Sequence, residues 1–332
     1  MEIKLPTLNE LCQKIRPGKI APDFLLPEVE GMPVTFYEQY CGQSPVVIVF
    51  SAIQVELLQY APLADHTKLI GVFSGKQNHQ IDSPFPILQD DGRLTQAFLN
   101  ASQVSEPLVL ILRPTLTVFA CLENPTLNEI EHILDAIPAQ YSTVCNESAP
   151  VLIVPEVLPS SLCTQLIAAH EADNFDSGMV RMVAGEPTLI PDARTKIRRD
   201  HRLNDPDLVQ AVNDALVERL LPVIARAFHY QVTRLEGYKV VAYDAITGGY
   251  FRLHRDNVTP DAKHRRFALS LNLNDDYTGG EIVFPEFGAK RYRPPAGGGL
   301  VFSGTLLHAA SDVTAGKRYV LLTFMWGDDV SG

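Results

Sequence analysis

Between Ile20 and Ala136 the apolar residues gather in short, nearly unbroken runs, Val46–Phe50, Lys68–Phe73, Leu108–Leu112 and Leu116–Ala120, set apart by polar stretches. A continuous apolar run of strand length marks a strand covered on both faces, and its alternation with helical spacing is the pattern of an α/β layer. Ile53–Leu63, Leu94–Leu99 and Leu127–Ile137 supply the helical stretches, the last with Ile130, Ile133, Leu134 and Ile137 on one face. Leu108–Leu112 and Leu116–Ala120 are expected to form a hairpin about Arg113-Pro114-Thr115.

Residues 142–150 are polar, contain Asn146-Glu147-Ser148-Ala149 and end in Pro150, the texture of a linker. This predicts an α/β domain over residues 1–145 and a second domain over 149–332. Beyond the linker, Val151–Val154 reads as a short strand and Ser161–Glu171 as a helix, while Asp205 ahead of Pro206 announces a longer helix. Leu208, Val209, Val212, Leu216 and Leu220 give that helix one apolar face, and Pro222 is expected to kink or break it. After Phe228 the pattern changes. Tyr238–Tyr243, Phe251–His254, Phe267–Leu273, Glu281–Phe284, Leu300–Phe302 and Arg318–Trp326 are short strands between Gly, Pro, Asn and Asp turns, which predicts a β-sandwich or barrel.

The chain has 332 residues, 46% of them hydrophobic, enough to fill two cores. Its net charge of -11 disfavours nucleic acid and anionic membrane as partners of the whole molecule. No apolar run approaches the roughly 20 residues of a bilayer span, and Met1-Glu2-Ile3-Lys4 lacks the basic-then-apolar order of a secretion signal, so a cytoplasmic protein is expected. Cys12, Cys41, Cys121, Cys145 and Cys163 form no Cys-x-x-Cys pair and read as ordinary thiols.

Candidate chemistry concentrates around Leu253-His254-Arg255-Asp256-Asn257. Residues two apart on an extended strand leave the same face, so His254 and Asp256 can share an ion. An imidazole and a carboxylate are two corners of a 2-His-1-carboxylate site, which leaves three adjacent positions of an octahedral iron for a chelating oxo acid and dioxygen. Alone, His-x-Asp arises readily by chance, and His308 after Leu306-Leu307 reads equally well as a core histidine. The surroundings carry the weight: Gly248-Gly249-Tyr250-Phe251 upstream, Tyr277-Thr278-Gly279-Gly280-Glu281 downstream, Pro295 with Gly297 to Gly299, then His308 and, ten residues on, Arg318. A guanidinium binds a carboxylate through two parallel hydrogen bonds, and period two puts Arg318 on the face of Val320, Leu322 and Phe324. If that face lines the interior, the buried cation requires an anion.

In this order the motifs of residues 235–326 resemble the double-stranded β-helix core of the Fe(II)/2-oxoglutarate dioxygenases, in the prolyl 4-hydroxylase-like branch. The resemblance implies a mainly β jelly-roll domain with flanking helices, in which His254, Asp256 and His308 hold Fe(II) and Arg318 binds the distal carboxylate of 2-oxoglutarate. Tyr243 would add a hydrogen bond to the co-substrate, although it stands two residues further from the histidine than the usual tyrosine of this branch. Asn272 and Ser270 on the Phe267–Leu273 strand, and Arg265-Arg266 before it, are candidates for the pocket, against the alternative of an exposed basic turn and an outward polar face. The resemblance further implies hydroxylation of a C–H bond, with O2 consumed, succinate and CO2 released and ascorbate a candidate reductant. The implied substrate is a peptide or protein side chain, proline first, with a small metabolite as the alternative. A non-catalytic metal- or partner-binding module would show a broken triad or no anion anchor, and neither is seen.

Residues 17–122 resemble the peroxiredoxin-type thioredoxin fold: Pro17 to Phe24 looks like its entry strand and Val46 to Ser51 like its central strand, with Asp90-Asp91-Gly92-Arg93 and the Leu108–Ala120 hairpin further along. Where those enzymes carry Pro-x-x-x-Thr-x-x-Cys, this chain reads Ser51-Ala52-Ile53-Gln54-Val55-Glu56-Leu57-Leu58, without a thiol. A peroxidase needs an activated thiolate at a helix start. The first half therefore reads as a thioredoxin-like module without peroxidase chemistry, serving substrate recruitment or homodimer formation.

Overall fold

The computed structural model describes residues 15–27, 33–40, 44–75, 82–137, 148–183 and 186–328. They fall into two compact units, one within residues 7–144 and one within residues 145–332. In the first, five strands form one mixed sheet in the order Ile87–Gln89, Lys68–Phe73, Val46–Ser51, Leu108–Leu112, Val118–Glu123. The first three run parallel and the last two are joined antiparallel. Val46, Ile48 and Phe50 pack with Phe36 and Phe98 on one side, while Val47 and Val49 pack with Leu57, Tyr60 and Ile130 on the other. This two-sided burial is why the central strand is apolar throughout instead of alternating.

Three local expectations change in this unit. The stretch read as one helix over 53–63 divides into Gln54–Leu58 and a 3-10 turn Ala61–Asp65, because Pro62 cannot donate to a continuous helical ladder. The second hairpin strand begins at Val118, since Leu116 sits in the turn with a left-handed φ of 59°. The entry strand expected at Pro17–Phe24 is reduced to one bridge between Ile20 and Thr117.

The second unit is built from two antiparallel sheets. The larger runs Leu152–Val154, Gly299–Ser303, Phe267–Asn272, Lys317–Trp326, Lys239–Asp244, Arg199–Arg202, Phe175–Asp176, with Arg234–Leu235 also paired to Lys317–Trp326. The smaller runs Lys196–Ile197, Tyr250–His254, His308–Ala310, Ile282–Val283, Arg291–Tyr292. Val241, Ala268, Leu300 and Val320 of the larger sheet share a core with Ile282 and Ala310 of the smaller, so the two face each other as in a jelly roll. The other face of the larger sheet, with Val240, Leu269, Leu271, Leu321 and Met325, is covered by Leu162 and Leu166 of helix Ser160–Ala172 and by Val212, Leu216 and Ile224 further along. Strand alternation thus divides Lys317–Trp326 between a helix-facing set and a set turned toward the smaller sheet.

The helix announced by Asp205 runs from Pro206 to Ala215, and the Asp205 carboxylate accepts from Asp207 N–H at 2.9 Å and Leu208 N–H at 3.0 Å. Pro222 neither ends it nor breaks it outright. A π turn over Leu216–Leu220 lets Leu221 N–H reach the Leu216 carbonyl, and α winding resumes over Leu221–Phe228. The wider turn accommodates a ring that cannot donate. No helix among the described residues is long and apolar enough to cross a membrane. Replacing the cap, Asp205→Ala, is expected to destabilise the second unit by about 1 kcal/mol, read as a lower midpoint of its denaturant transition with an unchanged slope.

Candidate metal centre and co-substrate cavity

The smaller sheet brings three donors together. His254 ends its strand and His308 opens the neighbouring one, so the two are cross-strand partners with ring centroids 4.2 Å apart. Asp256 does not lie on an extended strand, as the two-residue spacing predicts, but in the bend just beyond it. The bend still carries its carboxylate inward: Asp256 Oδ1 lies 3.4 Å from His254 Nε2 and Oδ2 lies 3.4 Å from His308 Nε2. One ligand atom from each residue falls within 4.8 Å of the others.

The hydrogen bonds fix which atoms face inward. His254 Nδ1 donates to the Arg252 carbonyl at 2.8 Å and His308 Nδ1 to the Leu306 carbonyl at 2.9 Å. A carbonyl only accepts, so both Nδ1 atoms carry the proton and both Nε2 atoms present lone pairs to the carboxylate. Burial pushes the His308 imidazole below its ordinary value, although Asp256 beside it works the other way. Burial opposes the Asp256 charge, yet when the imidazoles are protonated the His254 hydrogen bond and the charges of His308, His254 and Arg265 outweigh it and hold the carboxyl below the usual range. When they are neutral, only lone pairs face the carboxylate. Lone pairs converging without a proton between them repel one another, and a divalent cation is the group that relieves this. The donor set therefore fits Fe(II).

The larger sheet supplies the cation. Arg318 is 2% exposed, and its face of the strand, with Val320, Leu322 and Phe324, lines the same cavity as the three donors. Its guanidinium donates to Asn272 Oδ1 at 3.2 and 2.9 Å and to Ser270 Oγ at 3.2 Å, all neutral acceptors. Among the described residues no carboxylate pairs with it. Gly280 explains the Gly-Gly turn: its φ is +69°, and a Cβ there would meet Arg318 Cδ at 2.9 Å.

Tyr243 lies directly across the strand pair from Arg318 and lines the cavity, but its hydroxyl is engaged by Arg198 Nη1 at 3.1 Å. Asn272 does not line the cavity. It reaches it through Arg318, held in turn by its own donation to the Pro294 carbonyl at 2.7 Å. Ser270 does line it. Arg265 braces the ligand bend, donating to the Asp256 carbonyl at 3.1 Å while pairing with Glu236 at 2.6 Å. Arg266, Arg255 and Asn257 lie outside the cavity lining.

Two residues were given no role in the site by the sequence. Phe251 lines the cavity and stacks on the His254 ring, centroids 3.5 Å apart at 16°, fixing the plane of that donor. Arg198 stands 5.4 Å from the Phe251 centroid and is neutralised by Asp200 at 2.8 Å. Although burial opposes its charge, Tyr243 and Asp200 hold the guanidinium fully protonated. The only signal was the Arg198-x-Asp200 spacing within a charged stretch that lacks apolar alternation.

Residues 238–326 match the family model described as the 2OG-Fe(II) oxygenase superfamily. The C-terminal region of the chain is a 2OG-Fe(II) oxygenase domain, and the chain is accordingly an oxidoreductase that uses Fe(II), 2-oxoglutarate and O2. The PKHD-type hydroxylase PiuC of Pseudomonas aeruginosa is 25% identical over 187 residues, 53% of this chain and 77% of that protein. A PKHD-type hydroxylase of Xanthomonas campestris pv. campestris is 27% identical over 190 residues, with the same shares of 53% and 77%. Among solved structures, a Pseudomonas putida prolyl-4-hydroxylase is 17% identical with a TM-score of 0.42, covering 55% of this chain and 94% of that one.

Removing one donor should empty the centre without unfolding the domain. His308→Ala is expected to weaken Mn(II) binding by more than roughly 100-fold in calorimetry, with an unchanged far-ultraviolet spectrum; wild-type affinity in this variant would contradict the assignment of the three donors.

Proposed function

We propose that the chain hydroxylates a C–H bond of a peptide or protein side chain, proline first, in a domain spanning residues 149–332. The observation that carries the reading is the buried, unneutralised Arg318 guanidinium facing three converging donors across one cavity. When bound, Fe(II) supplies the activation of O2 that couples decarboxylation of 2-oxoglutarate to hydroxylation: one oxygen atom enters succinate, the other enters the substrate, and CO2 leaves. His254, Asp256 and His308 would hold the ion, and three protein donors would leave coordination positions for co-substrate and O2. Arg318 receives the distal carboxylate in a fixed orientation, because Asn272 and Ser270 determine where its N–H groups point. Ile282, Phe302, Ala310 and Val320 wall the cavity with apolar surface and keep water from the oxidant. Tyr243, its hydroxyl held by Arg198, places its ring beside Arg318, 5.6 Å from ring centroid to guanidinium carbon, at the co-substrate end. The relatives that carry the name hydroxylase support this reaction over other outcomes of the same oxidant.

The unit within residues 1–145 is read as a thioredoxin-like module, supported by its mixed five-stranded sheet and helices on both faces. At the end of its central strand, Ser51 Oγ donates to Glu56 at 2.6 Å and Ala52 N–H to Glu106 at 2.8 Å. Two carboxylates there disfavour any thiolate. Burial pushes the Cys121 thiol up to about 11, leaving it protonated at neutral pH; Cys12, Cys41 and Cys145 lie outside the described residues. Recruitment of a protein substrate or self-association is the role that remains, in a cytoplasmic setting.

Purified protein with Fe(II), ascorbate and 2-oxoglutarate should release succinate slowly without added substrate. Arg318→Ala should raise the 2-oxoglutarate dissociation constant by a factor corresponding to roughly 2–5 kcal/mol, and an unchanged constant would remove Arg318 as the anchor. The chelator-treated full chain should consume no hydrogen peroxide above the buffer rate; thiol-dependent turnover would overturn the reading of the first module.

A further inference from the structure

A second cleft, of about 370 Å³, adjoins the oxygenase cavity, with Arg265 as the wall between them. Arg265 lines the cleft, bonds the Asp256 carbonyl, and lies 3.9 Å over the ring of Phe324, which lines the cavity. The cleft runs against the charge of the molecule as a whole: Lys263, His264, Arg265 and Arg266 border it in a chain whose net charge is -11. Glu236 serves only two of these, Arg265 at 2.6 Å and His264 at 3.0 Å. Lys263 and Arg266 are exposed and pair with no carboxylate among the described residues. Arg266 is held over the Tyr230 ring, 5.1 Å from its centroid, and the Tyr230 hydroxyl is itself fixed by the Gly327 N–H at 2.7 Å. Two cations that pair with no carboxylate among the described residues, one of them braced by an aromatic ring, favour an anion as their ligand.

Resting on the hydroxylase reading above, we propose that this cleft recognises an acidic side chain of a polypeptide substrate, placed near the residue that enters the oxygenase cavity. Lys263 and Arg266 are its specificity-determining cations. A polypeptide fits better than a small metabolite, because cleft and cavity are lined by different residues and one ligand has to reach both. Two local cations match one or two carboxylates, whereas the strongly negative molecule repels an extended polyphosphate.

The chain contains a single tryptophan, and Trp326 lines this cleft, so its emission reports on occupancy. The full chain loaded with Mn(II) and 2-oxoglutarate is titrated with a short proline-containing peptide rich in glutamate, its lysine counterpart, and single-stranded DNA of similar length. The glutamate peptide is expected to shift the emission saturably and to bind more tightly than the other two. Lys263→Ala and Arg266→Ala should each weaken it roughly tenfold, Arg266→Lys should keep the preference, and the double variant Lys263→Glu, Arg266→Glu should favour the lysine peptide. Substrate-independent succinate release in the Fe(II) enzyme should be the same in all variants. Equal or absent responses to the two peptides, or tighter binding of the DNA, would overturn the proposal. Absent succinate release in the wild type would instead overturn the oxygenase reading while leaving the peptide preference measurable.

Discussion

A guanidinium buried inside a β-sandwich must meet an anion, and the second unit is organised around that requirement. Arg318 is held by the oxygens of Asn272 and Ser270, which orient it without neutralising it. Its charge is therefore left for a guest. Across the cavity the opposite condition holds, where His254, Asp256 and His308 direct lone pairs at one another and call for a cation. A ligand that is anionic at one end and chelates a metal at the other satisfies both demands at once, and 2-oxoglutarate has that form.

The two demands sit on different sheets, which explains why the jelly roll suits them. Cross-strand pairing fixes His254 against His308 in the smaller sheet and Tyr243 against Arg318 in the larger. The core shared between the sheets then sets the distance between donors and guanidinium. Backbone carbonyls and neighbouring rings complete the centre: the Arg252 and Leu306 carbonyls fix the two tautomers, and Phe251 fixes the plane of His254. Positions with no functional group of their own matter for the same reason. Gly280 leaves room for the Arg318 stem, and any side chain there would displace the guanidinium.

Much of this was legible in the sequence because it rests on short-range rules. Period two on Arg318–Trp326 placed Arg318 with Val320, Leu322 and Phe324, and Asp205 before Pro206 located a helix start. Local rules failed where tertiary context decides. Asp256 reaches the centre from a bend braced by Arg265, which spacing alone cannot reveal. Arg198 and Asp200 lie on short, charged segments that resemble solvated surface, yet both side chains are buried as a pair. Asn272 was read as a wall of the pocket and proves to be the support of the residue that forms it. Pro222 marks the disturbance in its helix, but that the chain answers with a π turn and resumes α winding is decided by packing and not by the sequence pattern.

The most direct test of the central claim is anomalous diffraction from crystals grown without oxygen in the presence of Mn(II) and 2-oxoglutarate. The account predicts one metal peak within bonding distance of His254 Nε2, Asp256 and His308 Nε2, with the distal carboxylate of the oxo acid paired to Arg318. A metal bound elsewhere in the chain, or an oxo acid whose distal carboxylate lies away from Arg318, would contradict it.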